Sequence, residues 1–389
     1  MFDFNIIYAN YKYYYFMFKL NDIIDTNKLT VNWDCVWCIP EFNVLQDTHQ
    51  NPKWHLEDYV STHTYSVTEN MCKLLSGESD KHKCLYMIAA ALFHDIGKGI
   101  TTKWDKDKNT WVSPGHAIAS EQITRRLLWD EPFELREKIC SLVRNHMKPL
   151  YIYEKANHIK EIAKLAEDCD FTELLLLKKA DCLGAITTVE DNWQEKLDKA
   201  YDDAQIASCI NGFTFKNDFM RYVYFNVENE HINSNDNNYG DFTVYVMIGL
   251  PGAGKDTYIK QHLSYLPVVS RDIIRTSIGI EGEKPMGNKE QEEMVTKIQD
   301  KLIRKYSESK QSFVINNTNL RLKYREGYKK LFNKYRPRII YIYVEAPTFE
   351  DNLKRRAGTI PPCIIEKMRD SFEFPRKYEA YEILIWKQK

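Results

Sequence analysis

Thr243 to Thr257 reads TVYVMIGLPGAGKDT: six residues of strand character run into Gly249, Leu250, Pro251, Gly252, Ala253, Gly254, Lys255, Asp256 and Thr257, and a helical stretch follows. Glycines let backbone N–H groups wrap a chain of phosphates, and a helix N-terminus behind them adds positive potential. Lys255 is placed to reach the β- and γ-phosphates, so ATP or GTP with Mg²⁺ is the expected ligand. Such a loop needs a strand before it and a helix after it, which fixes the architecture around it. Ser312 to Ile315 and Arg338 to Val344 are further short β-branched or aromatic runs between charged helical stretches. Alternation of that kind predicts a central parallel sheet with crossover helices, an α/β fold.

Upstream the pattern is different. Val60–Leu75, Lys83–Phe93, Ala117–Leu128, Phe133–His146 and Phe171–Leu183 carry apolar residues at helical spacing, and strand signals are weak. Between the two regimes lies His231 to Asp241, HINSNDNNYGD, which has the composition of a linker. The expected organisation is two domains: an all-α bundle over residues 1–230, with its core about 54–185, and an α/β P-loop domain over 242–389. No internal repeat is found.

Chemistry in the helical part centres on His94-Asp95, at the end of the apolar helix CLYMIAAALFHDIGKG. Both side chains can turn to one ion, and a carboxylate with two oxygens can bridge two ions where an imidazole serves one. His63 and Asp181 lie on two further helices and complete four candidate ligands, with Lys98 placed to meet a phosphate. The order H…HD…D resembles the HD phosphohydrolase superfamily. Gly115-His116-x-x-x-Ser120 and Arg144-Asn145-His146 are similar to the additional histidines of its two-metal branch. The resemblance implies that His63, His94, Asp95 and Asp181 hold one ion, and Asp95, His116 and His146 a second. It also implies that Ser120 faces the same pocket toward phosphate, and that His55, in Trp54-His55-Leu56-Glu57, contacts the phosphate or leaving group. Ligands of this kind accept Mn, Ni, Co, Zn or Fe. This part also resembles HD domains attached to RNA-modifying enzymes, including some tRNA nucleotidyltransferases, without the nucleotidyltransferase domain.

In the C-terminal part, Val269-Ser270-Arg271-Asp272-Ile-Ile-Arg275 places Asp272 and Arg275 three residues apart at a helix start, where both can face one cleft. This resembles the 5′-OH polynucleotide kinases of the P-loop superfamily. The resemblance implies Asp272 as general base toward a 5′-hydroxyl and Arg275 as the acceptor clamp. Leu353-Lys354-Arg355-Arg356 followed by Ile360-Pro-Pro362 resembles the arginine-bearing lid of the same kinases, with Arg355 and Arg356 toward the transferred phosphoryl group. Two positions depart from the pattern. Asp256 stands where Ser or Thr usually meets magnesium, and Asn317 stands where related kinases often carry Asp. The expectation is that the carboxylate has moved, and that Asp256 supports Mg²⁺.

Composition bounds these readings. Apolar runs such as Leu85–Phe93 are far short of a membrane span, and the aromatic N-terminus MFDFNIIYANYKYYYFMF is broken by Asp3, Asn5, Asn10 and Lys12, which reads as folded structure and not as a signal peptide. Nine cysteines without regular spacing fit free thiols in a reducing cytoplasm, and Cys35-x-x-Cys38 has no second pair at finger spacing. The net charge of −1 divides into +11 over residues 301–389 and −12 over 1–300, which fits local contact with a polyanion. Richness in Asn, Lys and Tyr marks an AT-rich genome such as a phage's, in which case the cytoplasm is the host's.

The whole order, HD domain then P-loop kinase, resembles the bacterial and phage HD-Pnk end-healing family from about Trp54 onward. By that resemblance the chain phosphorylates 5′-OH ends with ATP and removes a 2′,3′-cyclic phosphate or 2′-phosphate. Its partners are then nucleic-acid ends, RNA favoured over DNA, and a separate ligase acting downstream. A homodimer is left open. Two alternatives stand beside it: a nucleotide phosphohydrolase fused to a nucleoside or metabolite kinase, and a nucleotide-sensing RNA-binding protein with a degenerate P-loop.

Overall fold

The computed structural model describes residues 18–189, 192–210, 212, 214–226, 240–279, 289–332 and 334–388. The N-terminal aromatic segment up to residue 17 and most of the linker, residues 231–239, lie outside the described residues. The chain forms two compact units, one of Met1–Leu165 with Cys169–Asn211, the other of Gly212–Lys389 with Ala166–Asp168. The helix Asp218–Asn226, placed with the first domain by the linker reading, belongs to the second unit. There Arg221 donates to the carbonyl of Tyr381 and Asn226 to that of Tyr378 at 2.7 Å. None of the described helices is long and apolar enough to cross a membrane.

The first unit is built on five helices: α1 Val60–Leu74, α2 Lys81–Phe93, α3 His116–Leu127, α4 Phe133–Asn145 and α5 Phe171–Gly184. Two of them begin at a cap the sequence supplies. Asp80 caps α2 by accepting from the amides of His82 and Lys83, and Asp170 caps α5 through Thr172 and Glu173. On α1, Val60, Thr64, Val67 and Met71 recur at helical spacing and are buried. Every residue of α2 from Cys84 to Phe93 is buried, so this helix is the centre of the bundle and α1, α4 and α5 pack round it. Two small antiparallel pairs, β1 Ile24–Asp25 with β2 Thr30–Val31 and β3 Lys103–Asp105 with β4 Thr110–Val112, decorate it. Sequence periodicity places these five helices to within two residues but not His158–Asp168 and Trp193–Ile206, and it misses both hairpins, whose strands are only two or three residues long.

In the second unit five parallel strands stand in the order β6-β7-β5-β8-β9, with β5 Thr243–Ile248, β6 Val268–Val269, β7 Phe313–Asn316, β8 Arg338–Glu345 and β9 Glu382–Lys387. β5 is central, pairing Val244 with Phe313 on one side and Ile339 on the other. Its run Val246, Met247, Ile248 is fully buried, as a strand covered on both faces must be. The helices used below are α6 Lys255–His262, α7 Arg271–Ser277, α8 Lys289–Glu308, α9 Leu322–Phe332, α10 Phe349–Arg355 and α11 Pro362–Asp370. Edge strand β9 was not foreseen, because Glu382 to Lys387 alternates only weakly and is half-exposed. Strand order reverses direction at β5, so the crevice at its C-terminal end is where an open α/β sheet binds ligands.

Candidate functional sites

In the helical unit, six of the expected ligands converge from five helices. His63 comes from α1, His94 and Asp95 from the end of α2, His116 from the first residue of α3, His146 from the end of α4 and Asp181 from α5. They divide into two groups whose ligand atoms lie within 4.8 Å of one another: His63, His94 and Asp181, and Asp95, His116 and His146. Asp95 is shared between them by its two oxygens. Oδ2 lies 3.2 Å from His94 Nε2 and 3.8 Å from His63 Nε2. Oδ1 lies 3.4 Å from His116 Nε2 and 3.6 Å from His146 Nε2.

The orientation of the rings is set by what stands behind them. His94, His116 and His146 each donate from Nδ1 to a carbonyl three residues upstream, of Ala91, Ser113 and Val143, at 2.7, 2.9 and 2.7 Å. That fixes the tautomer and leaves each Nε2 a lone pair turned inward. Those three Nε2 atoms and Asp95 Oδ1 are buried without a hydrogen-bond partner, a costly arrangement unless a cation completes it. The donor set therefore fits divalent metal. Burial holds His146 down at about 3 and lowers His116, so both rings are neutral ligands near pH 7. Asp95 is ionised: burial works against it, but Lys98 and His94 hold it well below the usual carboxylate range. Asp181 is likewise held low, against burial, by Lys178 and His63.

Several residues here were not singled out in the sequence. Glu57 Oε1 stands 3.0 Å from His63 Nδ1 and 2.7 Å from His55 Nδ1, tying both rings to one buried carboxylate. Burial pulls His63 down, yet hydrogen bonds to Asp181 and Glu57 raise it to about 9. Lys178 donates to Asp181 Oδ2 at 2.7 Å from one turn earlier on α5, a spacing that was readable. The expected phosphate contacts have protein partners. Lys98 Nζ lies 2.7 Å from Asp95 Oδ2 and donates to Gln50 Oε1 at 2.8 Å. Ser120 is fully buried and its Oγ accepts from the amide of Gly97 at 2.9 Å. A Cβ on Gly97 would sit 2.4 Å from the amide nitrogen of Ser120, so glycine there lets α3 close on the turn after His94-Asp95.

In the second unit the loop from Gly249 to Gly254 crosses the end of β5, and Gly252 and Gly254 take φ of +78° and +99°, conformations that glycine adopts without strain. Asn352 of α10 braces the loop by donating to the Pro251 carbonyl at 2.9 Å. Lys255 Nζ donates to the carbonyls of Gly249 and Leu250, each at 2.9 Å, and burial lowers it to about 8. A cavity of about 1310 Å³ opens over the loop, and Asp256, Asp272, Arg275, Arg355 and Arg356 all line it. Asp272 and Arg275 do face one cleft, and they are paired at 2.6 Å. Arg275 is also gripped by Glu292 of α8, at 2.8 Å to Oε1 and 3.0 Å to Oε2, and Arg271 reaches the same carboxylate at 2.7 Å. Glu292 thus holds both arginines in place beside Asp272, and no local motif announces it. Its two arginines hold it at about 2. Arg355 donates to the Gly252 carbonyl at 3.2 Å and contacts Gln388.

The side chain that meets Asp256 is that of Asn316, not Asn317. Strand β7 ends at Asn316, and it is Asn316 that donates to Asp256 Oδ1, at 2.6 Å. Asn317 turns the other way, accepting from the Arg271 amide and donating to Gln299 and the Tyr328 hydroxyl at 3.1 and 3.0 Å. The carboxylate of Asp256 and the strand end are therefore one unit, displaced by one residue from the sequence reading.

Residues 60–186 match a family model described as HD domain, and residues 244–375 one described as AAA domain. The helical unit thus carries the HD-domain match, and the unit with the five-stranded parallel sheet carries the AAA-domain match over its P-loop. It is similar to the CC-adding tRNA nucleotidyltransferase of Thermus thermophilus, with 30% identity over 158 residues, 40% of this chain and 34% of that protein. The chain thus spans about a third of that relative's length. Among solved structures it is similar to a Chloroflexus aurantiacus protein described as a kinase, at 18% identity over 38% of this chain and 86% of that one, with a TM-score of 0.31. It is also similar to a gluconokinase of Sinorhizobium meliloti, at 15% identity over 38% and 83%, with a TM-score of 0.26.

Proposed function

We propose that this chain heals broken nucleic-acid ends, RNA before DNA, adding phosphate at a 5′-hydroxyl and removing it from a 2′,3′-cyclic or 2′-phosphate terminus. The observation that carries the reading is the coexistence, on one chain, of a metal-ligand cluster of phosphoesterase type and a P-loop cavity lined by a paired Asp272 and Arg275 together with Lys255. A strand cut by transesterification presents both lesions at once.

At the kinase site Asp272 is the general base. Its carboxylate is 62% exposed to the cavity and is oriented by Arg275. As the bond between the γ-phosphorus and its bridging oxygen breaks and the 5′-oxygen bonds phosphorus, the hydroxyl proton passes to Asp272. Arg275 holds the acceptor phosphate, which has to share the guanidinium with Glu292. Lys255 leaves the carbonyls of Gly249 and Leu250 for the triphosphate, and Arg355 and Arg356 close over the transferred group. Asp256, fixed by Asn316, supports Mg²⁺.

At the HD site, His63, His94 and Asp181, and Asp95, His116 and His146, would hold divalent ions, which would supply Lewis acidity to the phosphoryl oxygens. Lys98 exchanges its contact with Asp95 for the substrate phosphate, and His55, neutral through burial, stands beside the leaving oxygen. A phosphohydrolase fused to a small-molecule kinase shares both site types. The cationic α9 side of the kinase cavity favours the polyanionic acceptor. The test offers labelled ATP to the protein with a 5′-OH oligoribonucleotide, a nucleoside or gluconate. Transfer to the oligonucleotide is expected, and transfer confined to a small molecule overturns the reading.

A further inference from the structure

The kinase cavity does not stop at the P-loop. It extends along α9, where Tyr324, Gly327, Tyr328 and Leu331 line it at the spacing of a single helix face. At about 1310 Å³ it exceeds the roughly 300–1,000 Å³ usual for one small ligand, which leaves room beside a bound nucleotide. Tyr324 is 56% exposed in this concave wall, whereas Tyr328, one turn on, is buried with its hydroxyl tied to Asn317 and Asn319.

Gly327 between them has no structural reason to be glycine. It lies within the helix, where glycine is the least favoured residue after proline, and a Cβ there would meet nothing within 4 Å. The space it leaves belongs to the cavity. Arg321, Lys323 and Lys367 line the same cavity, all exposed, and none of them makes a side-chain ion pair among the described residues. Other cations of the site are engaged: Lys255 by carbonyls, Arg271 and Arg275 by Glu292. An exposed ring in a cavity that is also lined by cations without ion-pair partners is the arrangement that takes a single-stranded nucleic acid. A neutral sugar would leave the three cations without an anion.

We propose that the α9 face of Tyr324 and Gly327 is the base-stacking seat of the acceptor strand, with Arg321, Lys323 and Lys367 holding its phosphates. This assignment rests on the kinase reading above and adds the residues that select a polynucleotide. The test uses the full-length protein and a 5′-OH oligoribonucleotide carrying 2-aminopurine as its terminal base, titrated without ATP, followed by steady-state transfer to the same oligonucleotide. Wild type and Tyr324→Phe quench the fluorophore. Tyr324→Ala loses the quench and binds about tenfold or more weakly, the worth of one stacked base. Gly327→Ala raises Tm while raising KM for the oligonucleotide and leaving KM for ATP unchanged. Replacing Arg321, Lys323 and Lys367 together by Ala flattens the slope of log Kd against log salt by about two. An unchanged quench and affinity in Tyr324→Ala, with transfer to the oligonucleotide intact in wild type, overturns the stacking seat and leaves the kinase reading standing. Transfer to nucleosides alone in wild type overturns both.

Discussion

The two sites differ in what their side chains do with each other. At the HD centre the rings are locked from behind by carbonyls and by Glu57, and the inward nitrogens of His94, His116 and His146 have no hydrogen-bond partner. At the P-loop the working groups satisfy one another: Lys255 with Gly249 and Leu250, Asp256 with Asn316, Arg275 with Asp272 and Glu292. The first fits a divalent ion without rearranging its own hydrogen bonds. The second has to exchange internal bonds for substrate bonds, so each substrate contributes to assembling it. A metal centre tolerates no loose ligand, while a kinase that must release its product gains from groups with an alternative partner.

The sharpest way to break this comparison is to disable one site and assay both. His94→Ala abolishes phosphate removal and lowers bound metal measured by elemental analysis, and it leaves 5′ phosphorylation intact. Lys255→Ala lowers phosphorylation on the order of 10²–10³-fold and spares removal. Loss of both activities in either folded variant would mean one coupled site.

A smaller effect probes the locked rings. Glu57→Gln weakens metal binding by about 10–100-fold, read by competition with a chelator. Because His63 is held at about 9, a metal taking its Nε2 displaces a proton at neutral pH. Affinity therefore rises about tenfold per pH unit up to about 9 and levels off above it, and a flat profile between pH 7 and 9 would contradict the assignment.

Next in size is magnesium support. Asp256→Ser raises the Mg²⁺ concentration needed for half-maximal phosphorylation by about tenfold, and Asn316→Asp lowers it, since a second carboxylate joins the first. No change in either profile would remove Asp256 from the magnesium site. The smallest effect belongs to Glu292. Its carboxyl sits at about 2, below its ordinary 4.5, so its stabilising contribution is complete above pH 4.5 and is lost as the pH falls toward 2. In Glu292→Gln that acid limb disappears from chemical-denaturation profiles, with a cost at pH 7 of roughly 1 kcal/mol for a part-exposed pair.

Much of this was legible in the sequence where one local pattern implies one geometry. The P-loop needs only its own glycines and flanking strand, and the five long helices declare themselves by periodicity. The candidate metal ligands were legible through the resemblance carried by H…HD…D and the two additional histidines. What escaped was set by tertiary placement. Glu292 arrives from α8, on a different helix from Arg271 and Arg275, and Glu57 works through the rings of His55 and His63. Whether Asn316 or Asn317 faces Asp256 depends on where β7 stops, a one-residue matter that alternation cannot fix.

The central claim is that one chain repairs both sides of one break, and a single substrate tests it. An RNA carrying a 5′-OH and a 2′,3′-cyclic phosphate is incubated with the protein, ATP, Mg²⁺ and Mn²⁺, and each end is followed separately. The account predicts a 5′-phosphate and a terminus freed of its cyclic phosphate, with the first change needing ATP and the second not. Persistence of both original ends, while nucleotides or metabolites are turned over, would contradict it.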